Sequence, residues 1–282
     1  MFWNLISKKY ETSLAFFWLG TIAALLGLSP AVLVYRDDFV RTISSVGDLY
    51  LLTGMFQALY YAGLCHAYRV GDISLVYPLA RAVPVLIIGL FGYWWGDLAN
   101  PWAMFWIVLL VAGCTMSPLQ SWKVQWTSYL NRASLFTLLA ALANVGYSLT
   151  DDFALRRLTA DEFPNPYLNA VLFLSGQTLG TLVILSLMVA GAKKERLALS
   201  KVLAGQKKQA IATGILVAVT YGMILVAIGM AQNITYVVAF RQLSIPLACA
   251  VGIFLLGEIP YRPRVVGVGM IFLGLVGMAL AA

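Results

Sequence analysis

The sequence predicts an all-α integral membrane protein built from two inverted repeats of five transmembrane helices, with the first helix largely missing. Of its 282 residues, 61% are hydrophobic and only 11% are charged, whereas a soluble domain carries about 25% charged residues. The apolar runs are continuous rather than alternating, which favours helices over a barrel. Two of the runs, one in each half of the chain, contain both an arginine and a proline, a pattern typical of proteins built from internal repeats.

Nine apolar segments are long enough to cross a bilayer core, which takes roughly 20 residues. They are predicted at residues 14–34, 49–68, 74–95, 102–119, 134–155, 168–190, 210–231, 236–256 and 265–281. Polar loops are predicted at 35–48, 156–167 and 191–209. A linker at 120–133, whose tryptophans suit the membrane interface, separates a first repeat at 1–119 from a second repeat at 134–282.

The first repeat is one helix shorter than the second. When the two arginine-proline segments are aligned, residues 3–8 lie opposite residues 147–152. We therefore expect that Met1 begins near the end of a helix whose earlier part is absent; a genuine nine-helix protein is the alternative. Five helices are an odd number, so the halves would be inverted in the bilayer. The bias of lysine and arginine among the loops places Lys8 in the cytoplasm and Ala282 outside.

The first arginine-proline segment holds Arg81 between Pro78 and Pro84, and the second holds Arg241 before Pro246. A guanidinium at membrane depth costs at least about 2.5 kcal/mol unless it faces a cavity or a partner. Each proline removes a backbone donor and opens the helix locally. The combination predicts a polar pocket in which the arginines hold an anionic group by two-point hydrogen bonding. The alternatives are a structural ion pair with an aspartate and a hydrogen-bond cap on a proline-broken helix.

Two carboxylates, Asp151 and Asp152, lie late in the segment at 134–155. One of them would carry the proton if transport were driven by protons. The favoured alternative is that both lie at the membrane surface, paired with Arg156 and Arg157. Lys8 is opposite Asp152 in the aligned repeats, although a lysine at a helix end normally extends to the headgroups.

The remaining cavity candidates are polar or aromatic side chains within the apolar segments, whose hydroxyls and amides need a partner there. They are Tyr60, Tyr61, Tyr77, Tyr221, Tyr236, Asn144, Tyr147, Ser148 and Gln177, with Trp3 and Asn4 added if residues 3–8 are helical. Each of them by itself is equally compatible with packing. The single histidine, His66, is expected at the interface.

Three runs of the sequence resemble the EamA-like branch of the drug/metabolite transporter superfamily. They are WNLISKKYETSLAFFWLG, GDISLVYPLARAVPVLIIGL and GIFLLGEIPYRPRVVGVGMIFLGLVGMAL. The resemblance implies ten helices in two inverted five-helix repeats around a central cavity. The chain departs from this pattern by lacking most of the first helix. Many members of the superfamily have both termini in the cytoplasm, which conflicts with the loop charges here.

The resulting expectation is a secondary transporter, working by alternating access, for a small polar metabolite such as an amino acid. Export and a bacterial inner-membrane location follow from the resemblance alone. A non-transporting membrane subunit or lipid-carrier flippase component is the alternative. A membrane enzyme acting on a lipid-linked substrate is the remote one, since no GxSxG elbow is present.

The sequence carries no motif for a nucleotide, metal or nucleic-acid partner. It has no nucleotide-binding loop, its three cysteines lack metal-ligand spacing, and no cofactor is expected. The net charge of +7 lies in loops and does not indicate nucleic acid. A coupling ion or proton, and a monomer or homodimer, are left open.

Overall fold

The structure, a computed structural model, describes residues 13–70, 73–95, 100–119, 121–122, 132–161, 165–256 and 259–281, with the side chains of 70, 73–79, 101 and 255–256 excepted. Every regular element in these ranges is helical. The elements are α1 (Leu14–Val34), α2 (Arg36–Val70), α3 (Ile73–Trp94), α4 (Pro101–Met116), α5 (Arg132–Ala160), α6 (Pro166–Gly191), α7 (Lys193–Gly205), α8 (Lys207–Met230), α9 (Ile234–Phe240), a 3₁₀ turn (Arg241–Leu243), α10 (Ser244–Leu256) and α11 (Arg262–Ala281).

Six helical stretches in the described part of the chain are long and apolar enough to cross a membrane. They are Leu14–Val34, Arg132–Ala160, Pro166–Gly191, Lys207–Met230, Ile234–Phe254 and Arg262–Ala281. Two shorter apolar helices occupy Ala80–Trp94 and Trp102–Met116. Large apolar side chains such as Leu216, Met223 and Leu280 are exposed on the spans, as surfaces that face lipid require. The chain is therefore a multi-pass membrane protein.

Short polar residues begin several of these helices. The Ser13 hydroxyl accepts a hydrogen bond from the Phe16 amide at 3.3 Å at the start of α1. Before α6, the side-chain oxygen of Asn165 accepts from the amides of Tyr167 and Leu168 at 3.0 and 3.2 Å. Asn100 and Asn233 cap α4 and α9 in the same way. Such caps satisfy first-turn N–H groups that have no partner within the helix, so they mark where the spans start.

The predicted loops at 35–48, 156–167 and 191–209 are wrong in part, because each contains helix. Helix α2 begins at Arg36, with Asp37 and Asp38 in its first turn and a kink at Val46. Carboxylates are stabilised at a helix N-terminus, so charge alone does not exclude helix there. Helix α5 continues to Ala160. The basic stretch forms the separate helix α7, which buries Val202 against Phe16 and Ala210.

The chain forms two compact units, each of which draws on both halves of the sequence. Among the described residues, the first unit contains those within 66–145 and 232–281, and the second contains those within 13–65 and 146–231. In the first unit α4 packs along α11, and α3 packs on α4. In the second unit α1 packs against both α6 and α8. A core that includes Phe17, Tyr61 and Leu185 joins helices of the second unit.

The predicted span at 236–256 is interrupted. Helix α9 ends at Phe240, and the 3₁₀ turn at Arg241–Leu243 leads into α10. The interruption lies directly before Pro246, which has no N–H to offer the Gln242 carbonyl and whose ring crowds that carbonyl. At Pro84, where a break was also predicted, α3 is continuous; neighbouring helices allow this in a membrane. The side chain of Pro78 lies outside the described residues.

Candidate functional site

The second unit buries a carboxylate, Asp151 of α5, completely. Its Oδ1 accepts a hydrogen bond from the Thr53 hydroxyl at 2.5 Å, and its Oδ2 accepts one from the Tyr221 hydroxyl. The Gln177 side-chain amide lies 3.3 Å from each carboxylate oxygen and also donates to Thr53 Oγ1 at 2.9 Å. Three helices, α2, α6 and α8, thus bring neutral donors to one carboxylate, which as an ion only accepts hydrogen bonds.

The surface position that the sequence favoured for both aspartates is wrong for Asp151. It describes Asp152 better, because an oxygen of Asp152 lies 2.9 Å from Arg156 Nε and its side chain is partly exposed. Arg157 is 3.9 Å from Asp48 instead. Adjacent residues of a helix point about 100° apart, so one of these two carboxylates faces the interior while the other reaches a basic neighbour.

Aromatic side chains line up beside the Asp151 cluster. The Tyr221 ring lies edge-on to the Tyr147 ring at 5.7 Å, and Tyr147 is edge-on to Tyr60, also at 5.7 Å. Tyr60 contacts Tyr61, which stacks on Phe17 at 4.4 Å. Tyr60, Tyr147 and Tyr221, three of the predicted site residues, are therefore brought together in one unit.

A pocket lies within the same unit, between α1, α2, α6 and α8. Water-sized molecules can occupy about 50 Å³ of it, which is room for several waters. Its polar lining is made of hydroxyl and amide side chains: Thr21, Gln57, Tyr61, Gln177, Thr178, Thr181, Thr213 and Tyr221. Gln177 and Tyr221 belong both to this lining and to the Asp151 cluster, so the pocket and the buried carboxylate share a wall.

In the first unit, Arg81 contacts the interrupted helix. Its Nη1 donates to the Arg241 carbonyl and to the Ser244 hydroxyl, both at 3.2 Å. Next to it, the Gln242 side-chain amide donates to the Val238 carbonyl at 3.2 Å. These contacts correspond to the cap on a proline-broken helix that the sequence left as an alternative. The anion-binding role of Arg81 and Arg241 stays a prediction.

The other predicted residues are distributed over both units. Ser148 is fully buried in the second unit, Asn144 is buried in the first, and Tyr236 is half-buried in the first. His66, expected at the interface, packs on the Phe136 ring at 5.0 Å. Trp3 and Asn4 lie outside the described residues, as does the side chain of Tyr77. No group of three or more His, Cys, Asp or Glu side chains that would hold a metal ion occurs in the described part of the chain.

Sequence reasoning missed Thr53 and the threonines of the pocket, because single threonines are common in apolar helices. One signal was available: matched polar residues recur 160 positions apart in the chain. Thr21 is matched by Thr181, Thr53 by Thr213, and Tyr61 by Tyr221. Arg81 and Arg241 have the same separation. The threonine and tyrosine matches lie on α1, α2, α6 and α8, the helices that line the pocket.

The described structure is thus that of an all-helical, multi-pass membrane protein with a polar pocket and a buried carboxylate inside one helical unit. No family model matches the chain, and no curated protein matches it. Fifteen chains of solved structures match. One of them, the crystal structure of a protein with 14% sequence identity, has a TM-score of 0.64 over 98% of this chain and 92% of that chain. At this identity the likeness shows the fold alone.

Proposed function

We propose that the chain is a secondary transporter for a small polar metabolite such as an amino acid. The observation that carries the proposal is the pocket of the second unit, whose hydroxyl and amide lining lies among membrane-spanning helices. Polar side chains are costly in membrane-spanning helices unless they have hydrogen-bond partners. A polar solute that leaves water needs such partners in the protein, because they replace its hydrogen bonds to water. We therefore assign the solute contact site to α1, α2, α6 and α8 rather than to the two arginines.

Packing in the second unit supports an internal repeat. A β-carbon at Gly20 would lie 3.0 Å from the Ala210 carbonyl and 3.4 Å from the Gly214 α-carbon. Adding 160 to Gly20 and subtracting 160 from Ala210 gives Gly180 and Tyr50, and a β-carbon at Gly180 would meet the Tyr50 carbonyl. The α1–α8 contact and the α2–α6 contact are thus equivalents, as a twofold relation between the halves of the sequence requires.

The first unit supports the same repeat with a spacing of 161. A β-carbon at Gly113 would meet Gly267 and Ile271. A β-carbon at Gly274, which is 161 residues after Gly113, would meet Trp106 and Leu110, the residues 161 positions before Gly267 and Ile271. The change from 160 to 161 means that the stretch from Arg241 to Gly274 is one residue longer than the equivalent stretch from Arg81 to Gly113.

These equivalences support an internal repeat with a twofold relation. That the repeats are inverted, with nine spans and an EamA-like membership, is the part of the proposal that rests on the sequence motifs. Transport would then proceed by a rocking motion of the two repeats around the pocket, which would expose it to each side of the membrane in turn. The interruption before Pro246 is a compliant point for such a motion. Export, and an inner-membrane location, belong to the same proposal through the resemblance.

The test is solute counterflow into liposomes that contain the purified protein, with labelled amino acids, nucleosides and phosphonates. Thr213→Val removes a pocket hydroxyl at constant shape, and Thr220→Val removes an exposed hydroxyl from the same helix. Loss of one solute hydrogen bond, about 1 kcal/mol, should lower flux by Thr213→Val about fivefold and leave Thr220→Val unchanged. Equal flux in Thr213→Val and Thr220→Val would show that the pocket does not contact the solute during transport. Flux no greater than in empty liposomes for every solute would reject transport.

A further inference from the structure

Most of the hydrogen-bond donors around the pocket already have protein acceptors. Thr21, Thr178 and Thr181 each donate their hydroxyl hydrogen to a carbonyl four residues earlier in their own helix, at 2.8, 2.6 and 2.8 Å. A hydroxyl that donates in this way keeps two lone pairs for accepting. The three threonines therefore present oxygen acceptors to the pocket rather than donors.

Both amides of the lining, and one of its two tyrosines, also donate to protein acceptors. Gln57 Nε2 donates to the Tyr61 hydroxyl at 3.1 Å, and Gln177 Nε2 donates to Thr53 and to the Asp151 carboxylate. The Tyr221 hydroxyl also donates to Asp151. These hydrogens of Gln57, Gln177 and Tyr221 are therefore bound by protein acceptors rather than by a prospective ligand.

Two acceptors on the lining have no donor. The side-chain oxygens of Gln57 and Gln177 are both buried without a hydrogen-bond partner, and Gln177 as a whole is only 2% exposed. A buried polar atom left in this state costs about 1–3 kcal/mol, so such atoms call for a ligand or water. None of the described lining residues is a lysine or arginine.

From these unpartnered oxygens and outward-facing lone pairs we propose that the pocket binds a small monovalent cation, with Gln57 Oε1, Gln177 Oε1 and the threonine hydroxyls as ligands. The Asp151 carboxylate lies directly behind Gln177 and Tyr221 and adds negative potential to the oxygen lining. Neutral oxygens near a carboxylate suit a hard alkali cation or a primary ammonium group. A bare proton would need only the carboxylate and would leave both amide oxygens unpaired.

Two cations have this chemistry: a free Na⁺ ion and the ammonium group of the solute itself. The first would couple transport to an ion gradient, and the second would orient an amine or amino acid in the pocket. This use of the site rests on the proposed transport function, whereas binding of the cation does not.

The experiment measures thermal unfolding of the full chain in detergent while NaCl or ethylammonium chloride replaces N-methylglucamine chloride at constant ionic strength. We expect a saturable rise of Tm with one of the two salts. Asp151→Asn and Gln57→Met should each raise the apparent Kd at least tenfold, and Asp152→Asn should not. If Asp151→Asn does not fold, Gln57→Met decides, since it removes an amide oxygen at similar volume.

A response to NaCl identifies an ion site, and a response to ethylammonium alone identifies a site for the ammonium of the solute. No saturable response to either salt, or the same Kd in wild type and Gln57→Met, would overturn the proposal. The outcome is separate from the counterflow test. Flux without cation binding would leave a transporter lacking this site, and cation binding without flux would leave the site and reject transport.

Discussion

Alanine at Gly214 should force two helices of the second unit apart. A β-carbon at Gly214 would overlap the carbonyl group and α-carbon of Gly20 on α1, and a β-carbon at the repeat equivalent Gly54 would lie 2.5 Å from backbone atoms of Gly180 and Thr181. Backbone atoms cannot rotate out of the way as side chains do. The overpacking cost should therefore reach the upper end of the usual range, about 3 kcal/mol. Alanine regains about 1 kcal/mol in helix propensity, so the expected net loss is about 2 kcal/mol for each variant.

The assay is thermal unfolding of purified variants in detergent. A loss of about 2 kcal/mol corresponds to a Tm lower by about 4–8 °C, at about 2–4 °C per kcal/mol. Gly229→Ala on the same helix as Gly214, and Gly27→Ala on α1, are matched controls, since a β-carbon would meet its nearest neighbour at 3.9 Å in the first and nothing within 4 Å in the second. Their Tm should stay level or rise. Variants at Gly54 and Gly214 as stable as these controls would refute the close approach, and a fall in only one of them would refute the equivalence of the two contacts.

Three further changes test the polar contacts. Tyr221→Phe removes a donor to the buried carboxylate of Asp151 and should lower the unfolding free energy by about 1.5–3 kcal/mol, whereas its repeat equivalent Tyr61→Phe breaks a neutral hydrogen bond and should lower it by about 0.5–1.5 kcal/mol; denaturant titration compares them, and equal losses would contradict a charged acceptor. Ser13→Ala removes the cap of α1 and should cost about 1 kcal/mol in the same titration, with no change counting against the cap. Arg81→Gln should lower Tm through loss of the cap and leave the KM for flux unchanged; a raised KM at constant Tm would instead support anion binding.

The candidate site could be predicted only in part. Tyr60, Tyr147 and Tyr221 were singled out as polar groups in apolar segments, and they do meet in one unit. The sequence favours a position at the membrane surface for Asp151, because arginines follow it in the chain. Its burial depends on side chains of α2, α6 and α8, whose approach the local sequence does not contain.

The sequence by itself determined that this chain is helical and lies in a membrane, because continuous apolar runs with few charges leave no other way to satisfy the backbone in lipid. It also predicted a break before Pro246, which the structure has, and a break at Pro84, where α3 is continuous. Only the tertiary structure decided that Arg81 contacts the carbonyl of the interrupted helix, and that the polar pocket forms elsewhere, between α1, α2, α6 and α8. The physical reason is that hydrogen bonds and close glycine contacts act over a few ångströms between residues far apart in the chain, and pattern along a single helix does not specify which partner it meets.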